Sequence, residues 1–167
     1  MEPTRIAALS AAIFAAFEVD AAATPSMSLR AGNAVDDGST LPRTDKEADA
    51  PTDNYLEQYY WGLPHLDAES WRHVLPFFLD YALRHIEHAS DAVDGLLNSL
   101  RPPDRMPPRL ASLSLEQERV VAQVLDALCY SPESAYHELA CQATEEWWEP
   151  NAMYRPSPND EVGKPIA

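Results

Sequence analysis

The chain has 167 residues and 46% apolar side chains, enough for one domain with a real core. Its net charge of −15 is spread along the whole length, a field that repels phosphate backbones and anionic lipid heads. Nucleic acid and membrane surfaces are therefore excluded as expected partners, and a basic protein is favoured. Fifteen prolines against five glycines point to sharp stops between helices.

The first element is an amphipathic helix within 1–18, capped by Thr4. Ile6, Leu9, Ile13, Phe14 and Phe17 fall on one face of a 3.6-residue period. The alternative is a cleaved signal peptide over residues 1–23, ending at Ala21-Ala-Ala23. Glu2 cancelling Arg5 and the alanine-rich run favour the packed helix and a cytoplasmic protein. Residues 19–52 read as a polar, mobile connection and a long acidic loop, broken by Asp36-Asp-Gly38, Pro42 and Pro51. Deleting 31–50 is expected to leave the fold intact.

The core domain is expected over 53–148. Thr52 or Asp53 caps a helix of about 54–61 carrying Tyr55, Tyr59, Tyr60 and Trp61. Asp67 or Ser70 opens the next helix, and Pro76 is expected to divide it, because proline interrupts a helix interior. The second piece runs from Pro76 to about Ala89. Ser90 caps 91–100, where Val93, Leu96, Leu97 and Leu100 share a face. A proline-rich bridge spans 101–109, and Ser114 with Gln117 forms a capping box for an apolar helix reaching Leu128. Ser131-Pro132 is read as the start of the last helix, with Tyr136, Leu139, Ala140, Ala143 and Trp147 inward. Residues 149–167 read as an extended, disordered tail. The expected fold is all-α, a compact bundle of five to six short helices.

Several of these segments resemble an uncharacterised bacterial family, domain of unknown function 6714. The likeness lies in Tyr59-Tyr-Trp61, in Leu75-Pro-Phe-Phe-Leu79 followed by the 91–100 helix, and in Leu113-Ser-Leu-Glu-Gln117 with its apolar helix. Ile13 to Phe17, Val19 and Pro25 are similar to the family's opening helix. The likeness spans about Tyr60 to Leu128. It implies the fold and a cytosolic placement, and carries no activity.

Three polar groups could hold chemistry. His85, His88 and Asp91, at i, i+3 and i+6, could share a helical side and offer two imidazoles and a carboxylate to a metal. A solvated face is the plainer reading, with no fourth ligand in view, so neither a metal nor a cofactor is expected. Asp67 or Glu69 could orient His73 as a general base at the Pro76 break, against a plain capping role. Glu145-Glu-Trp-Trp-Glu149 sets two indoles among carboxylates. Adjacent helical residues diverge by about 100°, which puts Trp147 in the core and leaves Trp148 as a partner anchor with Glu145, Glu146 and Glu149 around it. Cys129 and Cys141 read as reduced thiols, with a single bridge between adjacent helices as the alternative.

No glycine-rich phosphate loop, nucleophile elbow or H-E-x-x-H pattern is present. The function expected is a small acidic binding protein that docks a basic partner, in its most specific form an immunity protein against a cationic toxin. The alternative is an enzyme or metal protein using the His73 or the His85/His88 region.

Overall fold

The computed structural model describes residues 2–102 and 108–155. Eight α-helices and no strand occur among the described residues, so the protein is all-α. In chain order they are α1 (Pro3–Ala16), α2 (Glu18–Ala22), α3 (Leu29–Asp36), α4 (Asp53–Tyr59), α5 (Ala68–Arg84), α6 (Asp91–Ser99), α7 (Leu115–Tyr130) and α8 (His137–Ala143). Two 3-10 segments, Tyr60–His65 and Leu110–Ser112, and one π-turn, Thr144–Trp148, complete the set.

α5 is the central element. Trp71, Leu75, Phe78, Leu79 and Leu83 are wholly buried along it, and α1, α2, α6 and α7 all pack on it. Asp67 starts α5 by accepting the Ser70 N–H at 2.9 Å. Pro76 does not divide the helix as its chemistry suggested; α5 runs on through it to Arg84. Proline removes one N–H and leaves the Arg72 carbonyl without its ladder partner. The burial of Val74, Leu75, Pro76, Phe78 and Leu79 holds the helix together across that gap. Trp71 Nε1 donates to Ser99 Oγ at 3.3 Å, tying α5 to the end of α6 inside the core.

α7 begins with the expected capping box, the Ser114 hydroxyl accepting from Gln117 N and the Gln117 amide oxygen from Ser114 N. Val121, Val124, Leu125 and Leu128 face the interior. α1 seals the bundle: Ile13 and Phe17 are wholly buried, and Phe14 meets Phe77 edge-on at 5.4 Å. It starts at Pro3, one residue before the expected cap Thr4, with proline in the first turn.

Residues 19–52 differ from a plain polar connection. They form α2 and α3, and α3 buries Leu29 completely. α3 lies directly on the Tyr60–His65 segment because both elements offer glycine there. A Cβ on Gly62 would stand 2.1 Å from the Leu29 carbonyl oxygen, and one on Gly32 would stand 2.5 Å from the Gly62 oxygen. The acidic loop beyond α3 is also anchored: Arg30 Nε meets Asp49 Oδ1 at 2.9 Å, and Tyr55 Oη donates to the same carboxylate at 3.3 Å. Burial pushes the Tyr55 phenol up to about 12.

The C-terminal part is also rearranged. Ser131 closes α7, residues 132–136 form turns, and Ala135 N–H donates to the Ile86 carbonyl at 2.8 Å. α8 then starts at His137, six residues after the Ser131-Pro132 start read from sequence. The 149–155 part of the expected tail folds back, with Ala152 buried and Met153 N–H on the Glu145 carbonyl. The rest of that tail, and residues 103–107 of the proline-rich bridge, lie outside the described residues.

Candidate interaction cleft

Two adjoining clefts open beside the start of α6. The larger, about 630 Å³, is lined by Tyr60, Trp61, Asp91, Asp94, Arg101 and Arg109, among others. The smaller, about 410 Å³, is lined by Glu57, Tyr60, Tyr81, His85, His88, Ser90 and Asp91. Tyr60 and Asp91 belong to both and form the wall between them, the Tyr60 hydroxyl donating to Asp91 at 3.4 Å.

The larger cleft follows from its local sequence. The 3-10 segment Tyr60–His65 buries Gly62 and Leu63 under α3 and leaves Trp61 58% exposed. Tyr60 and Trp61 lie ring on ring at 4.9 Å with 31° between planes. Tyr60 can lie against α6 because Gly95 has no side chain; a Cβ there would meet Tyr60 Cδ2 at 3.0 Å. Asp91 and Asp94 face this aromatic pair from the first turn of α6. Burial, and then the charge of Asp91, raise the Asp94 carboxyl above the ordinary aspartate value.

The cations of the same cleft are engaged by the protein itself. Arg109 is 5% exposed and donates from Nη1 to the Leu63 carbonyl at 2.7 Å. Arg101 grips Glu146 with two hydrogen bonds, 2.8 and 2.7 Å, and the guanidinium holds that carboxyl below the ordinary glutamate range. The pattern recurs over the molecule. Arg72 pairs with Asp20, Arg84 with Asp53 and Asp80, and Arg155 with Glu118. Arginines satisfied by the protein's own carboxylates leave the excess negative charge to the surface.

His85, His88 and Asp91 do not share a helical side, because α5 ends at Arg84 and α6 starts at Asp91 with both histidines in the turn between, but all three line the smaller cleft. The groups are engaged with neighbours rather than with one another. His85 stacks on Tyr81 at 4.3 Å and its Nε2 sits 3.5 Å from Asp53 Oδ2. Tyr81 donates to Glu57 at 2.6 Å, and the His88 carbonyl accepts the Tyr136 hydroxyl.

The second polar group is not assembled as a base and its orienter. His73 Nδ1 lies 3.0 Å from the Asp20 carbonyl oxygen, while Asp67 caps α5 and accepts the Ser26 hydroxyl at 2.5 Å. Glu69 is exposed. The residue that organises this region is Asp20, which the sequence did not single out. Its carboxylate takes Arg72 Nε at 2.9 Å and Gln117 Nε2 at 2.7 Å, joining α2, α5 and α7.

The third group is inverted. Trp148 is 7% exposed and its indole N–H donates to the Leu100 carbonyl at 2.8 Å, so it is a core residue and not a free anchor. Trp147 is the half-buried one, with the Arg155 guanidinium 5.8 Å from its ring centre. The cause is the π-turn, in which Glu149 N–H reaches back five residues to the Thr144 carbonyl. An α-helical step of four from Ala143 lands on Trp147; the wider turn spends one more residue and brings Trp148 inward. Glu146 is buried against Arg101 by the same rotation, while Glu145 and Glu149 stay at the surface.

The pairing of Cys129 and Cys141 differs from the reduced thiols expected. The two residues are joined as a disulfide between α7 and α8, with Cα atoms 5.0 Å apart. Among the described residues no helix is long and apolar enough to cross a membrane.

Comparison with curated proteins and comparison with solved structures each gave no match. A family model does match, described as a family of unknown function, DUF6714, and it covers residues 6–152. The chain belongs to that family.

Proposed function

We propose that the protein is a cytoplasmic interaction module that docks a basic protein, with the cleft of Tyr60, Trp61, Asp91 and Asp94 receiving a cationic side chain of the partner. One observation carries this reading. An exposed indole shares a cleft with two carboxylates, and the two arginines of that cleft are engaged by the protein's own Glu146 and Leu63 carbonyl. A guanidinium or ammonium on such an aromatic face gains about 0.5–2 kcal/mol, more as water is displaced. The surrounding negative field speeds the approach of a basic partner. Glu145 and Glu149 belong to the same acidic exterior. In its most specific form the partner is a cationic toxin, and the protein neutralises it by occupying its basic surface.

The test is a calorimetric titration with a short arginine-rich peptide at low and high salt. The expected result is salt-sensitive binding that Trp61→Ala and Asp94→Asn each weaken about tenfold, a loss of about 1.4 kcal/mol. Equal affinity in wild type and both variants would refute the cleft. No binding of any basic probe would refute the reading itself.

A second reading is favoured by the convergence of Glu57, His85, His88, Ser90 and Asp91 on the smaller cleft. There the protein would be an enzyme or metal protein. Asp53 and Tyr81 already hold His85, so catalysis would require that pair to open. Stoichiometric metal lost in His85→Ala, or turnover lost in that variant, would place this reading first.

A further inference from the structure

We propose that Cys129, His137 and Cys141 form a redox-gated binding site for a thiophilic divalent cation such as zinc, closed while the cysteines are bridged and open once they are reduced. The three residues come from two packed helices. Cys129 lies in the last turn of α7, buried and facing α8. His137 and Cys141 stand at i and i+4 on α8, one turn apart on one side. Their possible ligand atoms all lie within 4.8 Å of one another, the one such trio of histidine, cysteine or carboxylate groups among the described residues. The imidazole lies beside the cysteines: Nδ1 contacts the Cys129 carbonyl oxygen and is 3.8 Å from Cys141 Sγ, so to ligate, the ring gives up that carbonyl contact or turns to offer Nε2.

The donor chemistry suits zinc. Two thiolates and one imidazole are soft and borderline ligands, with bonds of about 2.3 Å to sulfur and 2.0–2.1 Å to nitrogen. Three protein ligands with water in the fourth position is the arrangement of an open site. Cysteine ligands on facing helices need small adjustments to part and admit an ion. Cys129 is buried while Cys141 is only partly so, and His137 is exposed. An ion therefore enters from the α8 side, and Cys141 and His137 make the larger side-chain movement.

The balance of the step is simple. A cellular dithiol gives two electrons and two protons to the bridge. Its own sulfurs become a disulfide, and Cys129 and Cys141 become thiols. A zinc ion then displaces one proton from each thiol, so binding releases two protons and strengthens as pH rises. In a reducing cytosol the pair would rest in the open, metal-competent state.

The experiment uses the full chain, oxidised or reduced with a water-soluble phosphine, which takes up one oxygen from water as it reduces the bridge. The metal is removed first, and zinc chloride is then titrated by calorimetry, with cobalt chloride as a spectroscopic probe. The reduced protein is expected to bind one zinc per chain at micromolar affinity or better, and cobalt to show sulfur-to-metal absorption. The oxidised protein is expected to bind at least a hundredfold more weakly. His137→Ala, which leaves the cysteine pair intact, should weaken zinc at least tenfold in the reduced state. Cys141→Ser, which removes one of the two thiolates, should at least halve the sulfur-to-metal band. The proposal is overturned by no stoichiometric zinc in the reduced chain, by equal binding in the oxidised chain, or by unchanged affinity in reduced His137→Ala. Helical circular dichroism of the same reduced sample reports folding. Loss of the helices on reduction would also overturn the proposal, because the trio exists only in the packed helices.

Discussion

Gly62→Ala isolates the contact that turns residues 19–52 from a connection into part of the bundle. The added Cβ would stand 2.1 Å from the Leu29 carbonyl oxygen and 2.7 Å from the Asn33 nitrogen. Both obstacles are backbone, so no side-chain rotation relieves them, and α3 must withdraw. Reaching an ordinary separation of about 3.5 Å from the Leu29 oxygen requires about 1.4 Å of movement, and a gap of roughly 0.5–1 Å already forfeits a quarter to a half of the dispersion energy across it. The face that lifts away includes fully buried Leu29 with Ala31 and Ala34. Burial of one leucine is worth about 1.5–3 kcal/mol, and overpacking typically costs 1–3 kcal/mol. Together these place the loss near 3 kcal/mol, or about 6–12 °C in thermal midpoint for a chain of this size. Gly38→Ala is the control, because open space surrounds Gly38 and only its φ of +64° opposes a side chain. That variant should lose about 1–2 kcal/mol from the left-handed backbone alone. Urea and thermal unfolding of both variants give the comparison. A Gly62→Ala loss under about 1 kcal/mol would refute the close-approach argument.

Phe78→Ala and Leu125→Ala should each cost about 2–5 kcal/mol in denaturant titrations, since both side chains are wholly buried. Deleting 31–50, harmless on the sequence reading, should instead lower the thermal midpoint by more than about 10 °C, because it removes most of α3 and the Asp49 anchor. Glu146→Gln should cost about 2 kcal/mol at neutral pH by weakening a two-bond ion pair. Arg101 holds the Glu146 carboxyl below its ordinary 4.5 in the folded state, so its contribution is complete above that pH and fades as acid protonates it. Glu146→Gln should therefore unfold with a shallower loss of stability below about pH 4.5, read from midpoints across a pH series.

The helical class, the α7 capping box, the buried face of α6 and the apolar run of α7 were legible because each rests on a local signal. Apolar spacing of three and four residues, a hydroxyl before a helix and an amide three positions on are properties of short windows. Pro76 misled for the same reason. The proline rule concerns one hydrogen bond and one ring, while the continuity of α5 is decided by a buried surface several turns long. α3 was missed because its packing depends on Gly32 meeting Gly62, thirty positions away. A glycine in a polar stretch reads as a breaker until the partner backbone is known.

The tryptophan pair shows why the candidate surface was harder to read than the fold. A helical wheel assumes a constant turn, and through Ala143 that assumption holds. One residue of widening over Thr144–Trp148 then exchanges the two indoles and carries Glu146 inward to Arg101. The energetic reason lies outside the segment. The Leu100 carbonyl needs a donor at the end of α6, and the Trp148 indole supplies it. The Arg101 guanidinium needs a carboxylate, and Glu146 supplies it at the same place. An unbroken α-helix would move both groups off these partners together. The wider turn satisfies two long-range polar contacts for one local irregularity. Of the four tryptophans the exposed one is instead Trp61, beside Gly62 and Leu63 that are buried under α3.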